Sequence, residues 1–169
     1  MAAVAVVVRR GLPQDRPLLA RMLELYQYEL SDLWLQDLDA RGEYGYPLGR
    51  YWSRDDCHPF IVTVNGQLAG FALVDAALRV GSSGHWMDQF FVLKKYRRAG
   101  VGRAGPVGVR GAARPMGGWP NARQPRRASF WRKVIGEYTG GRFVEHELDP
   151  GSWLASVQCF SSSTGIASS

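Results

Sequence analysis

The chain has little cysteine, little histidine and no long apolar run. Cys57 and Cys159 are the two cysteines among 169 residues. Two thiols build no disulfide framework and match no metal-binding spacing, which excludes a disulfide-stapled secreted fold and a zinc ribbon. The three histidines are scattered and form no ligand cluster. No apolar stretch approaches the ~20 residues of a membrane-spanning helix, so no membrane partner is expected. The apolar start, Met1 to Val8, lacks a basic region and a cleavage site and reads as a strand leader rather than a signal peptide. No internal repeat is present, and the composition excludes a collagen, a coiled coil and a wholly disordered chain. What remains is one globular domain over residues 1–160 in a reducing, cytoplasmic compartment. Residues 161–169 are small and polar and read as a flexible tail.

The formal net charge is +6, and it is unevenly placed. Arg103, Arg110, Arg114, Arg123, Arg126 and Arg127 lie in a stretch without a single acid, and outside them 15 basic residues balance 15 acidic ones. Residues 105–128 also hold five glycines and four prolines in 24 positions. No helical or alternating period runs through them, so the segment 104–128 is foreign to the chain around it. A disordered basic loop and a nucleic-acid-binding loop are two readings. The second is the weaker, because Trp119 is the segment's one aromatic and single-strand binding relies on stacking. No nucleic-acid partner is therefore expected.

Elsewhere the pattern is regular. Val4 to Arg9 reads as a buried strand. Asp15 is placed to cap a helix with Pro17 in its first turn. Leu18, Leu19, Met22, Leu23, Leu25, Tyr26 and Leu30 then recur at helical spacing. Residues 31–58 mix acids (Asp32, Asp37, Asp39, Glu43, Asp55, Asp56) with Trp34, Tyr44, Tyr46, Tyr51 and Trp52, and predict an irregular excursion with one short helix near Leu48 to Arg54. Phe60 to Val64, Asn65-Gly66 and Gln67 to Val74 spell a hairpin, its return strand running on towards Val80. Gly81 to Gly84 is a turn. His85 to Leu93 is apolar on both parities, as a central strand covered on both faces would be. Phe130, Trp131, Val134, Ile135 and Tyr138 resume helical spacing, Gly140-Gly141 stops the helix, and Phe143 to Leu148 and Ser156 to Phe160 suit closing strands.

One motif carries chemistry. A strand runs into Arg97-Arg98-Ala99-Gly100-Val101-Gly102-Arg103 and then into an expected helix. Glycines allow a tight turn with successive N–H groups exposed, and the helix adds its positive dipole end, which together cradle a phosphate. The Walker ending and the third Rossmann glycine are both missing. Arg97-Arg98-Ala99-Gly100-Val101-Gly102 instead resembles the acetyl-CoA-binding Gln/Arg-x-x-Gly-x-Gly/Ala motif of the GNAT (GCN5-related) N-acetyltransferases. Asp88-Gln89-Phe90-Phe91-Val92-Leu93 resembles that family's fourth strand, and Phe130-Trp131-Arg132-Lys133-Val134-Ile135-Gly136 its late Phe-Tyr-x-x-x-Gly-Phe segment, with the glycine displaced by one. The resemblance covers roughly residues 4–148, apart from 104–128.

The resemblance implies an α/β fold: a mixed, mostly antiparallel central sheet flanked by helices, with a splayed central strand pair forming a slot for CoA. It implies acetyl-CoA as cosubstrate and no metal. Backbone groups of Phe91, Val92 and Leu93 would pair with the pantetheine arm as an added strand, and an N–H near Val92 would support the oxyanion. Arg97, Arg98, Gly100, Val101, Gly102 and Arg103 would bind around the pyrophosphate. The implied reaction is direct attack of a primary amine, from a small-molecule or amino-acid-like acceptor, on the thioester. The proton leaves through water to a carboxylate, first Asp88 and behind it Glu29. A structural, hydrogen-bonding role for Asp88 is the competing reading. The family often uses a late-helix tyrosine as general acid. Trp131 stands there and an indole cannot serve, which leaves Tyr138, Tyr96 or water. His85 reads as a strand residue and Cys57 as an inert thiol. The acidic, aromatic excursion lies where the family builds its acceptor site, and suits an amine through ion pairing and cation–π contact; a solvated surface is the plainer alternative. Trp131 and the odd segment also leave open a non-catalytic CoA-binding or regulatory module. A homodimer is kept open, since dimers are common in families of this kind.

The resemblance adds a third reading of the foreign segment. Codons permitted for Met116 to Ser129, read one base later, allow Trp-Glu-Val-Gly-Gln-Met-Pro-Ala-Asn-His-Ala-Ala-Gln-Ala. Placed before Phe130, this restores the family's Asn-x-x-Ala-x-x-Phe. Codon degeneracy makes such readings permissive, so the hypothesis of a local frame shift rests on its test. An intact-protein mass matching the printed residues 105–128 refutes it.

Overall fold

A computed structural model describes residues 4–34, 36–75, 85–97, 101, 116–117, 132–133, 135–136, 139–147 and 156–160. Strand β1 (Val6–Arg10) is followed by a tight turn at Pro13–Asp15 and helix α1 (Arg16–Trp34). The one-turn helix α2 (Arg50–Ser53) interrupts the excursion. Then come β2 (His58–Val64), β3 (Gln67–Asp75), β4 (His85–Val92), β5 (Met116–Gly117), β6 (Phe143–Glu147) and β7 (Ser156–Phe160). The main sheet has the order β1-β2-β3-β4-β5, and β6 and β7 pair with each other. The first four strands are antiparallel, and β5 joins β4 in parallel. This is the mixed, mostly antiparallel sheet that the sequence implies.

The local chemistry explains the elements. Asn65 and Gly66 both have positive φ, 49° and 76°, the condition for the tight hairpin that joins β2 to β3. Asp15 caps the turn rather than the helix proper: its carboxylate accepts from the Leu12 N–H at 2.8 Å and from the Arg9 fork at 2.7 and 2.9 Å. The Arg9 hydrogen bond first, and the Leu12 N–H second, hold its pKa down to about 2. Helix α1 buries Leu19, Met22, Leu23, Tyr26 and Leu30. Leu18 and Leu25, expected on the same stripe, are exposed, because a helix lying on a sheet covers a narrower face than the apolar pattern suggests. Gly141 donates to the Gly136 carbonyl at 2.8 Å and closes the late helical turns where the glycine pair predicted.

The sheet has two covered faces. On one, Ile61, Phe71, Leu73 and Phe91 pack against α1, with Tyr26 edge-on to Phe71 and Phe91 at 5.9 and 5.6 Å. On the other, Val62, Val64 and Ala69 meet Val8, Val92, Tyr96 and Val101. Two bulges shape the middle of the sheet. Val62 faces Gly70 while Thr63 faces Leu68, so Ala69 is the extra residue of β3. Leu73 faces Gln89 while Val74 faces Met87, so Asp88 is the extra residue of β4.

The pairing of β4 with β5 consists of His85 with Met116 and Trp86 with Gly117. Beyond Trp86, among the described residues, β4 has a ladder partner on its β3 side alone. The described part of this pairing thus ends at Trp86, two residues before Asp88, where the resemblance expects the two strands to fork around the slot. Gly81 to Gly84, the continuation of β3 to Val80, the tail and all of 104–128 except Met116 and Gly117 lie outside the described residues.

Candidate active site

The bulge decides what the fork presents. In a regular strand Asp88 and Gln89 would point to opposite faces. The extra residue breaks that alternation and re-aims a side chain. Both now reach one hydroxyl: Tyr46 donates to Asp88 Oδ2 at 2.6 Å and accepts from Gln89 Nε2 at 3.4 Å. Tyr46 is carried by the excursion, which is pinned to α1 by Glu24. The Glu24 carboxylate accepts the Tyr44 and Gly45 N–H groups at 2.7 and 3.0 Å.

Helix α2 supplies the rest. Tyr51 donates to Asp88 Oδ2 at 2.8 Å, and Arg50 Nη2 donates to the same oxygen at 2.7 Å. Arg50 Nη2 also donates to the Tyr51 hydroxyl oxygen at 2.9 Å and lies 3.3 Å from Asp75 Oδ2 on β3. Three donors therefore saturate Oδ2 of Asp88, while Oδ1 takes none among the described residues. Burial, reinforced by the Asp88 charge, pushes the Tyr46 hydroxyl up to about 12. Burial also raises Tyr51, with Tyr46 and Asp88 adding to it. Both phenols therefore stay protonated donors at neutral pH. Desolvation opposes the Arg50 charge, but the Tyr51 hydroxyl and the neighbouring Asp88 and Tyr46 oxygens outweigh it and leave the pKa raised.

The other end of β4 works through its backbone. The Leu93 N–H donates to Ala69 of β3 at 2.8 Å. A Cβ built on Gly70 would meet the Phe91 carbonyl oxygen at 2.3 Å, so that carbonyl also faces β3. The expectation that Phe91, Val92 and Leu93 all turn backbone groups to the donor is thereby corrected. Backbone polar groups alternate along a strand, so those of Val92 face away from β3 while Phe91 and Leu93 serve β3. Arg97 is turned inward: its Nε donates to the Val92 carbonyl at 2.9 Å, its Nη2 pairs with Glu29 at 2.5 Å, and its guanidinium lies 5.9 Å from the Phe91 ring centre. Arg97 and Glu29, expected near the pyrophosphate and as a second base, thus hold each other. Val101 is buried against Val62 and Val64. Arg98, Gly100, Gly102, Arg103, Trp131 and Tyr138 lie outside the described residues.

Three further residues make no hydrogen bond to Asp88. Tyr96 packs on the opposite face, by Val62 and Val101. His85 lies 5.6 Å, ring centre to ring centre, from His58. Cys57 is buried in the α1-side core, and burial raises its thiol pKa. Among the described residues no three His, Cys, Asp or Glu side chains are grouped to hold a metal, and no helix is long and apolar enough to cross a membrane. Sequence reasoning missed the joint role of Tyr46, Arg50, Tyr51 and Asp75. The available signal was the mixture of acids, rings and Arg50 in the excursion.

Four antiparallel strands, with β5 joining β4 in parallel and α1 packed on one face, define a mixed α/β class. Residues 19–105 match the model of the Acetyltransferase (GNAT) family, and the chain belongs to that family. The match ends where the foreign segment begins. No curated protein matches the chain. Among solved structures, an acetyltransferase from Thermus thermophilus is 14% identical over 94% of this chain and 97% of its own, with a TM-score of 0.65. The PaiA N-acetyltransferase from Thermoplasma acidophilum, in complex with coenzyme A, is 12% identical over 91% and 98%, with a TM-score of 0.61. Aminoglycoside acetyltransferase AAC(6')-Ib, also in complex with coenzyme A, is 13% identical over 93% and 95%, with a TM-score of 0.61. At these identities the likeness is one of fold.

Proposed function

We propose that this GNAT-family protein is an acetyl-CoA-dependent N-acetyltransferase acting on a primary amine of a small or amino-acid-like acceptor. One observation carries the reading: Asp88, set where the resemblance expects the fork, has Oδ2 held by three donors while Oδ1 takes none among the described residues. The edge of β4 away from β3, where the resemblance expects the slot, would suit an extended donor arm, and two of the neighbours were crystallised with coenzyme A. The donor supplies an acetyl thioester. The amine nitrogen attacks its carbonyl carbon, the C–N bond forms, and the C–S bond breaks to release a thiolate. Asp88 Oδ1 takes the amine proton, directly or through one water. The Val92 N–H supports the oxyanion. Tyr138, which lies outside the described residues, or water protonates the thiolate, since Tyr96 is on the other face of the sheet. The excursion, with Tyr46 and Tyr51 over Asp88, shapes the acceptor side.

The test is thiol release from acetyl-CoA with a panel of small amines and amino acids, alongside peptides. Acetylation of small amines, lost in Asp88→Asn while coenzyme A still binds, is the expected result. Acylation of peptides or proteins alone overturns the acceptor class. Coenzyme A binding with no transfer to any acceptor favours the non-catalytic module.

A further inference from the structure

Arg50 engages the protein through a single nitrogen. Its hydrogen bonds and ion pairs all run through Nη2: to Asp88 Oδ2 at 2.7 Å, to the Tyr51 hydroxyl at 2.9 Å and to Asp75 Oδ2 at 3.3 Å. Nε and Nη1 carry the remaining N–H groups of the guanidinium, and these donate to nothing among the described residues. The side chain is 41% exposed, against 5% for Asp75 and 12% for Asp88, so the arginine is the outer charge of the cluster. It is also fixed in place. Its guanidinium carbon lies 5.0 Å from the Tyr51 ring centre, and Nη2 is anchored on the sheet. A donor fixed before a ligand arrives loses little freedom on binding. Its free N–H groups are charged donors, which form short, strong hydrogen bonds to carboxylates.

The unused groups of Arg50 and Asp88 lie side by side. Asp88 Oδ2 is 2.7 Å from Nη2. The second oxygen of a carboxylate, or the second terminal nitrogen of a guanidinium, is roughly 2 Å further on by bond geometry. Asp88 Oδ1 and Arg50 Nη1 are therefore within about 7 Å of each other. An amine on Oδ1 and a carboxylate on Nη1, each at hydrogen-bond distance, bridge that gap when few bonds separate them. The charges agree with this. A carboxylate beside a guanidinium complements a ligand that carries both signs. A plain amine would leave the Arg50 N–H groups to water, and a plain anion would meet the Asp88 charge.

We infer that Arg50 binds the carboxylate of the acceptor, and that the acceptor is a free amino acid whose amine docks at Asp88. The inference rests on the reading of Asp88 as the site of the reacting amine, and narrows the acceptor class. An arginine that merely braces α2 against the sheet would support every amine alike. An arginine that binds a carboxylate must matter most to acceptors that have one.

The test is kcat/KM for alanine, leucine and phenylalanine, each beside the amine that lacks only its carboxylate: ethylamine, 3-methylbutylamine and phenethylamine. In the wild type the preferred amino acid should exceed its partner amine by about tenfold or more. Arg50→Gln should remove most of that ratio, and Arg50→Lys should keep part of it. Tyr51→Phe takes a donor from Asp88 but keeps the ring beside Arg50, so it should lower both members of a pair alike and leave the ratio standing. The Arg50 Nε–H NMR signal, assigned from Arg50→Lys and followed with coenzyme A added, reads binding without turnover. An amino acid of the panel should move it, and its partner amine should leave it in place. If Arg50→Gln does not fold, the wild-type ratios and this signal still decide. Amines acetylated as fast as their amino acids, or a ratio that survives Arg50→Gln, overturn the inference and leave the base assignment standing. A signal that moves although nothing is acetylated upholds the carboxylate site while the transferase reading falls. A signal that no amino acid moves overturns the inference.

Discussion

The two ends of β4 are built by different means. At the fork the work is done by side chains from four elements: Asp88 on β4, Asp75 on β3, Arg50 and Tyr51 on α2, and Tyr46 on the excursion. At the far end it is done by backbone, with Phe91 and Leu93 committed to β3 and Val92 facing away from it. The difference teaches where each end is fragile. A backbone site tolerates many side chains but not a shift of the strand. A side-chain site tolerates small strand shifts but not the loss of a partner.

The largest effect is expected from Asp88→Asn. Amide for carboxylate keeps the shape and removes the base, and general-base contributions are typically about 10²- to 10⁴-fold. We expect kcat/KM to fall within that range, with coenzyme A affinity unchanged by calorimetry. A wild-type rate in Asp88→Asn would move the chemistry away from the fork. The far end is broken differently, by Gly70→Ala. The added methyl meets the Phe91 carbonyl at 2.3 Å, a backbone atom that cannot rotate away. Overpacking of this kind costs roughly 1–3 kcal/mol, and it displaces the strand whose edge the proposed donor would use. Urea unfolding should show the loss and calorimetry a weaker coenzyme A; an unchanged midpoint would mean that the strands are not so close.

Arg97→Met should be milder. It removes the clamp on the Val92 carbonyl and leaves Glu29 without that guanidinium. The donor KM should rise by about tenfold with kcat nearly constant, the signature of lost ground-state binding. A fall in kcat of the same size would place Arg97 with the chemistry instead.

The same contrast explains what could be read from the chain beforehand. The far end is local in sequence: Arg97 to Gly102 is one motif on a strand–turn, and the family match rests on such contiguous stretches. The hairpin, α1, the central strand and the late glycine stop are likewise local patterns of period or turn chemistry. The fork is not local. Tyr46 and Asp88 are 42 positions apart, and Arg50 and Asp88 are 38 apart. Their meeting depends on the bulge at Asp88 and on Glu24 pinning the excursion, and neither leaves a periodic trace. The edge facing of Phe91 and Leu93 was missed for a related reason. Strand parity is fixed by register, and register comes from the pairing of β3 with β4 rather than from the strand itself.

The smallest effect sharpens the comparison most finely. Tyr46→Phe removes one of three donors on Asp88 Oδ2 and keeps the ring. A hydrogen bond of this kind contributes about 0.5–1.5 kcal/mol, so kcat/KM should fall only a few-fold, because Tyr51 and Arg50 still hold the carboxylate. The effect on stability has a sign. Tyr46 titrates at about 12 in the folded protein, above its ordinary value of 10, through burial and the Asp88 charge. A raised pKa contributes stability that is fully present below pH 10 and is lost as pH climbs through 12, at roughly 1.4 kcal/mol for each pH unit between the two values. Wild type should therefore lose more stability than Tyr46→Phe between pH 10 and 12, measured as the difference of their unfolding midpoints. Equal losses would mean that the hydroxyl is open to water.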